Sequence, residues 1–273
     1  MTDCPRSGTG PGAMLRPRRK NRKGIPETMH PEHDETLDSL ACGGISLFQK
    51  KRGYRYSLDA YLLASFVREV PGTEALEIGS GSGVVSLLLA ALKGLSLTGV
   101  EIQEPMAEMS RRSVELAGLA DRVRIIAGDI REYAGSRVDV VVANPPYRPR
   151  KTGRVNPDGG RAVARHEISL TLEELMGRAR DLLRNRGRLY LVYPAWRLAD
   201  LMSVMRSFGI EPKDIMLVHS TPRSGARICL ACGVKNGGRE LRVHRPFVVF
   251  SQEKVYTAEM EEVFRRLALP ETD

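Results

Sequence analysis

Cysteine is scarce: the chain holds four in 273 residues, at positions 4, 42, 229 and 232. Thiols so few and so scattered cannot build the disulfide framework of a secreted domain, and a reducing cytoplasm is the expected compartment. Aromatic residues make up only 5% of the chain, with a single tryptophan. Long hydrophobic runs are missing, since the longest, around VVSLLLAAL, falls well short of the roughly 20 residues needed to cross a bilayer. The basic amino terminus has no apolar segment behind it, so neither a secretory leader nor a membrane anchor is expected. Acid is in deficit too: 33 Asp and Glu stand against 42 Lys and Arg, a formal net charge of +9, which makes the surface attractive to polyanions such as nucleic acid.

Residues 1–35 are rich in proline, glycine and charge with almost no aliphatic side chains, and are predicted to be a disordered basic tail. Its run from Arg16 to Lys23 is suited to touching RNA, and Met29 reads as an alternative natural start. Residues 36–273 are expected to form one α/β domain with a well-buried core.

From Ala75 onward, short aliphatic runs alternate with amphipathic stretches, the pattern of a parallel sheet covered by helices. Strands are predicted at Ala75–Ile78, Leu97–Glu101, Val123–Ala127, Val138–Ala143, Arg188–Tyr193, Ile215–His219 and Ala226–Val234, together a doubly wound, seven-stranded, mostly parallel sheet of Rossmann-like class. Helices are predicted at Val84–Lys93, Pro105–Ala117, Thr171–Arg184 and Trp196–Phe208. Ahead of the sheet, Ile45–Phe48 and Tyr54–Tyr56 read as a hairpin around Lys50–Gly53, followed by a helix over Leu58–Val67. Behind it, Leu241–Phe250 reads as a strand pair or extended segment and Thr257–Leu267 as a closing helix.

Residues 75–91, ALEIGSGSGVVSLLLAA, are a strand, a glycine turn and a helix. Gly79, Gly81 and Gly83 permit a tight turn and close approach of a ligand to the backbone. A dinucleotide fingerprint wants Gly or Ala where this chain has Val84. Instead an acid, Glu77, precedes the first glycine, placed to hold the loop or to accept from an ammonium group. Glu101 stands eighteen residues past Gly83, where a carboxylate takes the hydroxyls of a ribose, and Asp129 follows the third strand, able to accept from an adenine amino group. The adjoining Ile102 and Ile130 complete the predicted cofactor site. Three acids ordered along three strand ends suit a cationic adenosine ligand, S-adenosylmethionine, better than a phosphorylated one.

The chain resembles class I S-adenosylmethionine-dependent methyltransferases that carry an Asn-Pro-Pro-Tyr signature, and within them the bacterial tRNA adenine-N6 methyltransferases that modify valine tRNA beside the anticodon. Four stretches carry the resemblance: GYRYSLDAYLLASF, EIGSGSG, VVANPPY and ARHEISLTLEEL. They imply tRNA as substrate.

In VVANPPY the Asn144 side-chain oxygen and the Pro145 carbonyl can each accept one hydrogen of an aromatic amino group, recovering the lone pair that the ring withdraws. Pro145 and Pro146 hold these acceptors rigid, and Tyr147 is placed to stack on the base. Asn144 also borders the cofactor. Neither a metal nor a covalent intermediate is required. The basic stretch that follows, with Arg148, Arg150, Lys151, Arg154 and Arg165, is a candidate lid gripping RNA phosphates, with His166 and Glu167 at its end. Cys229-Leu230-Ala231-Cys232 falls within a predicted strand and lacks the second pair of ligands zinc needs, so small buried residues are expected there.

Rival readings share the Asn-Pro-Pro-Tyr chemistry: a protein glutamine-N5 methyltransferase acting on release factors, and an rRNA or DNA adenine-N6 methyltransferase. The first would place a larger helical domain ahead of the glycine loop and the second an added recognition domain. Oligomeric state is left open by the sequence, with a monomer as the simplest expectation.

Overall fold

A computed structural model describes residues 29–40, 44–52, 55–145, 170–252 and 255–267. The first ordered elements are β1 (Glu35–Ser39) and β2 (Ser46–Lys50), paired antiparallel. This differs from the predicted hairpin: β2 turns back onto the acidic stretch before it, not onto Tyr54–Tyr56. The reason is electrostatic. Glu35 is only 2% exposed, yet its carboxylate accepts from both Arg112 (2.6 Å) and Lys50 (3.3 Å), while Arg55 reaches back to Asp38. Burial pushes the Glu35 carboxyl upward, but the hydrogen bonds from Arg112 and the Glu32 amide outweigh it and hold the group below its usual value. Residues 29–35, assigned from composition to the tail, therefore belong to the folded part; residues 1–28 lie outside the described residues.

Helix α1 (Leu58–Phe66) follows, capped by Ser57. The central sheet then builds from β3 (Glu74–Ile78), β4 (Ser96–Glu101), β5 (Val123–Ala127), β6 (Val138–Ala143), β7 (Leu183–Pro194), β8 (Ile210–His219) and β9 (Ala226–Lys235). Its order is β8-β9-β7-β6-β3-β4-β5; β3 to β7 run parallel, and β9 is antiparallel to both neighbours. These are the seven predicted strands, and two more join them. β10 (Arg242–Val243) and β11 (Phe247–Val248) both pair with the outer edge of β8, separated by Pro246, whose missing N–H interrupts the ladder. A short antiparallel pair, β12 (Phe250–Gln252) and β13 (Val255–Tyr256), precedes the last helix.

Helices cover both faces. α1, α2 (Val84–Lys93), α3 (Glu104–Leu116) and α6 (Ala258–Arg266) bury Leu62, Leu87, Val114 and Met260 on one side, and α4 (Leu172–Leu182) and α5 (Leu198–Ser207) bury Met176 and Leu201 on the other. Helix α2 is buried over Val84–Ala90, which accounts for the longest apolar run of the sequence: it lies beneath α1 and on the sheet. α4 stops at Leu182 and β7 starts at once. Leu183 pairs with Val138 but Arg188 with Val140, so residues 184–187 bulge out, with Arg186 left-handed at φ 66°. Among the described residues no helix is long and apolar enough to cross a membrane.

Cys229 and Cys232 are buried, as expected, on opposite faces of β9, packed in separate cores. They cannot converge on one ion, and burial pushes the thiols up to about 11 and about 12.

Replacing Arg112 with Met leaves the buried Glu35 carboxylate with only Lys50 and the Glu32 amide; urea unfolding is expected to show a loss of about 3 kcal/mol, the low end for breaking a buried ion pair. An unchanged midpoint would mean that the hairpin does not depend on this pair.

Candidate functional site

The parallel register places four chain segments side by side at the carboxyl edge of the sheet. Ile78 pairs with Ala143 and with Val100, and Glu101 with Ala127. Asn144, Gly79, the end of β4 and Gly128 are therefore neighbours along the edge, about 14 Å across at the usual strand spacing. That span accommodates an extended nucleoside.

After Ile78 the chain bends over the end of β4, where the amides of Gly79 (2.9 Å) and Ser80 (3.2 Å) both donate to the Val100 carbonyl. Gly79, Gly81 and Gly83 have φ of 72°, 54° and 77°, left-handed conformations that other residues adopt at a cost. Gly83 also caps α2, and a Cβ there would come within 2.2 Å of Ser110 Oγ. Gly79 is the opposite case. A Cβ on Gly79 or on Gly128 would meet nothing within 4 Å, so both backbones face open space on the side where a ligand would lie.

Glu101 is 4% exposed, and its carboxylate is shared out: Oε2 accepts from the Gly81 amide at 2.8 Å and Oε1 from the Gln103 amide at 3.0 Å. Oε1 also accepts from the Gln103 side-chain amide at 3.3 Å, so Oε2 is the oxygen that retains a lone pair for a ribose hydroxyl. Glu77 is 2% exposed and serves the loop from below, Oε2 accepting from the amide (3.0 Å) and hydroxyl (2.5 Å) of Ser86 in the first turn of α2. Burial, with Glu101 adding repulsion, pushes Glu77 up to about 8. Asp129 is half-buried; the hydrogen bond from Arg131 holds it below the usual carboxylate range, and both its oxygens receive Arg131. Arg131 lies 3.5 Å from Glu174, which closes the capping box of α4 with Thr171. Ile102 is half-buried at the edge, whereas Ile130 packs into the core, with its carbonyl receiving Arg178.

Asn144 and Pro145, both half-buried, are the last described residues after β6. Pro146, Tyr147, Arg148, Arg150, Lys151, Arg154, Arg165, His166 and Glu167 lie outside the described residues. Ser86, Gln103 and Arg131 were not singled out from the sequence, because their partners are set by loop geometry. Ser80 and Ser82 were a readable signal: their buried hydroxyls have no hydrogen-bond partner, and they alternate with the glycines.

This donor set fits S-adenosylmethionine. An open cradle over Gly79 and Gly128 meets the buried carboxylate of Glu101 and the acid of Asp129 along an edge that accepts hydrogen bonds and positive charge. The glycine loop is held by a carboxyl group that is largely neutral at pH 7, which yields a test. Because the folded Glu77 carboxyl titrates near 8, against 4.5 for an ordinary one, its contribution to stability is complete below about 4.5 and is lost as pH rises through 8. Glu77→Gln keeps the acceptor and removes the charge. Its melting temperature relative to the parent is expected to climb between about pH 5 and 8 and then level off; a pH-independent difference would overturn the assignment.

The profile of the methyltransferase small domain family matches residues 58–205. A protein of Porphyromonas gingivalis called tRNA1(Val) (adenine(37)-N6)-methyltransferase is 33% identical over 179 residues, covering 62% of this chain and 69% of its own length. One of the same name from Bacteroides thetaiotaomicron is 31% identical over 55% of this chain and 63% of its own. Among solved structures, a predicted O-methyltransferase of Agrobacterium tumefaciens superposes with a TM-score of 0.61 at 22% identity, covering 77% of this chain and 97% of its own, a likeness of fold. With α1 through α4, strands β3 to β7 and their carboxyl ends inside the matched region, the chain belongs to the methyltransferase small domain family, the S-adenosylmethionine-dependent methyltransferases of class I.

Proposed function

We propose that the chain transfers a methyl group from S-adenosylmethionine to N6 of an adenosine in tRNA, beside the anticodon. The observation that carries this reading is the placement of Asn144 and Pro145 directly after β6, abreast of Gly79, where the cofactor cradle opens. Two relatives at 33% and 31% identity carry the name tRNA1(Val) (adenine(37)-N6)-methyltransferase.

Glu101 takes the ribose hydroxyls, the Gly79 backbone lets the cofactor pass close over the sheet, and Asp129 faces the adenine end while Arg131 competes for its oxygens. Glu77 acts from beneath by fixing the start of α2. When bound, S-adenosylmethionine supplies an electrophilic methyl group on a sulfonium. The amino nitrogen of adenine is a poor nucleophile because its lone pair is delocalised into the ring. Asn144 Oδ1 and the Pro145 carbonyl each accept one amino hydrogen, which pyramidalises the nitrogen and points its lone pair toward the methyl group. The rigid prolines settle this geometry before the reaction, and Tyr147 stacks on the base once it has left its own stack. As the methyl moves from sulfur to nitrogen the sulfur–methyl bond breaks to leave a neutral thioether, and the nitrogen releases one proton to solvent. The basic residues from Arg148 to Arg165 grip the phosphates around the target nucleotide.

Asn144→Ala is expected to lower methyl transfer at least about 100-fold while cofactor affinity, measured by calorimetry, changes little; loss of cofactor binding would show that Asn144 holds the cofactor instead. Incubating the parent with labelled S-adenosylmethionine and separate pools of tRNA, ribosomal RNA and release factor, followed by nucleoside analysis, is expected to place label in tRNA as N6-methyladenosine. Label in release factor would overturn the substrate assignment.

A further inference from the structure

The only tryptophan of the chain, Trp196, is 71% exposed, more so than any other large hydrophobic residue among those described. A single exposed hydrophobic residue is ordinary; what distinguishes Trp196 is where its amphipathic ring stands. Its position says where. A helix was predicted to start at Trp196, but the structure has a 3₁₀ turn over Ala195–Arg197, and α5 begins at Leu198. That turn follows Pro194, the last residue of β7, and β7 is the neighbour of β6: Leu191 pairs with Ala143, one residue before Asn144. Trp196 therefore stands at the carboxyl edge, one strand over from the Asn144-Pro145 acceptors.

The ring is also held. The Arg197 guanidinium lies 5.8 Å from the Trp196 ring centre and 5.4 Å from that of Tyr193, and its Nε donates to Asp200 at 3.0 Å. Tyr193 and Pro194 beneath are buried. One face of the indole is thus backed by a fixed cation and the other is left to solvent. The surroundings are charged, not apolar. Arg227, exposed, precedes Ile228, which pairs with Pro194, whereas the exposed Val70 precedes β3 at the opposite edge and Val243 lies on the outer strand β10. A lone aromatic ring backed by Arg197, with the exposed Arg227, which also attracts Asp59, at the start of the neighbouring strand, suits a nucleobase with its phosphates better than an apolar protein surface.

We propose that Trp196 is a stacking platform for an unpaired nucleobase flanking the target adenosine, with Arg197 fixing the indole and Arg227 facing the adjoining phosphate. The inference rests on the reading of the chain as an RNA methyltransferase. When the target base leaves its stack, its neighbours lose a stacking partner, and a ring beside the acceptors replaces it.

Because Trp196 is the only tryptophan, fluorescence of the full chain excited at the red edge, where its eight tyrosines do not absorb, reports on this ring alone. Titration with unmodified tRNA is expected to quench it saturably, and a fully paired RNA duplex of similar charge is expected not to. Trp196→Ala should lower kcat/KM for tRNA roughly 5- to 150-fold, the range for losing one base-aromatic stack, mainly through KM. Its melting temperature and cofactor affinity should match the parent's, and Trp196→Phe should restore most of the loss. Binding of tRNA in a filter assay without quenching, equal quenching by the duplex, or full activity of Trp196→Ala would each overturn the platform. Failure of the parent itself to bind or methylate tRNA is a separate result that removes the RNA reading, and the platform with it.

Discussion

The buried Glu101 carboxylate at the end of β4 is the constraint on which the site depends. Its two oxygens accept the amides of Gly81 and Gln103, and its backbone carbonyl accepts the amide of Gly128 at 2.9 Å. One residue thus ties together the turn after β3, its own turn and the turn after β5. A buried carboxylate is costly unless donors meet it, and two of its three hydrogen bonds come from backbone groups that cannot rotate away. The cradle is consequently set before any ligand arrives.

A second acid works nearby in the reverse sense. Glu77 is buried, and burial favours its neutral form, so the loop is braced without placing another full negative charge against Glu101 at neutral pH. On the exposed rim the charges are paired: Asp129 with Arg131, Arg131 with Glu174, Arg197 with Asp200. Arg131 joins the adenine end of the cradle to the start of α4, the first element after the basic stretch that follows Asn144-Pro145-Pro146-Tyr147.

Much of the sheet was legible because parallel strands buried on both faces leave continuous aliphatic runs. Val123–Ala127 and Val138–Ala143 form strands with the bounds their sequences predict, as Val84–Lys93 does a helix. The amino-terminal hairpin was not legible in this way. β1 reads Glu-Thr-Leu-Asp-Ser, a poor strand by composition, and it forms because Arg112, seventy-seven residues away, and Lys50 neutralise Glu35. Long-range ion pairs leave no local pattern. The start of β7 escaped for a related reason, since the bulge over 184–187 is set by its register against β6 and not by propensity.

By itself the sequence determined the class of chemistry: glycines in a turn, acids at three strand ends and Asn-Pro-Pro-Tyr are local devices whose function follows from residue type and spacing. Only the tertiary structure decided what each acid does. Glu77 turns inward to Ser86, Glu101 secures the loop from the next strand, and Asp129 is engaged by Arg131, because parallel register and burial determine which donors come within reach. The same register brought Trp196, unremarkable in the sequence, to the edge that carries Asn144: β6 and β7 are adjacent and parallel, and Trp196 follows four residues after the position abreast of Asn144.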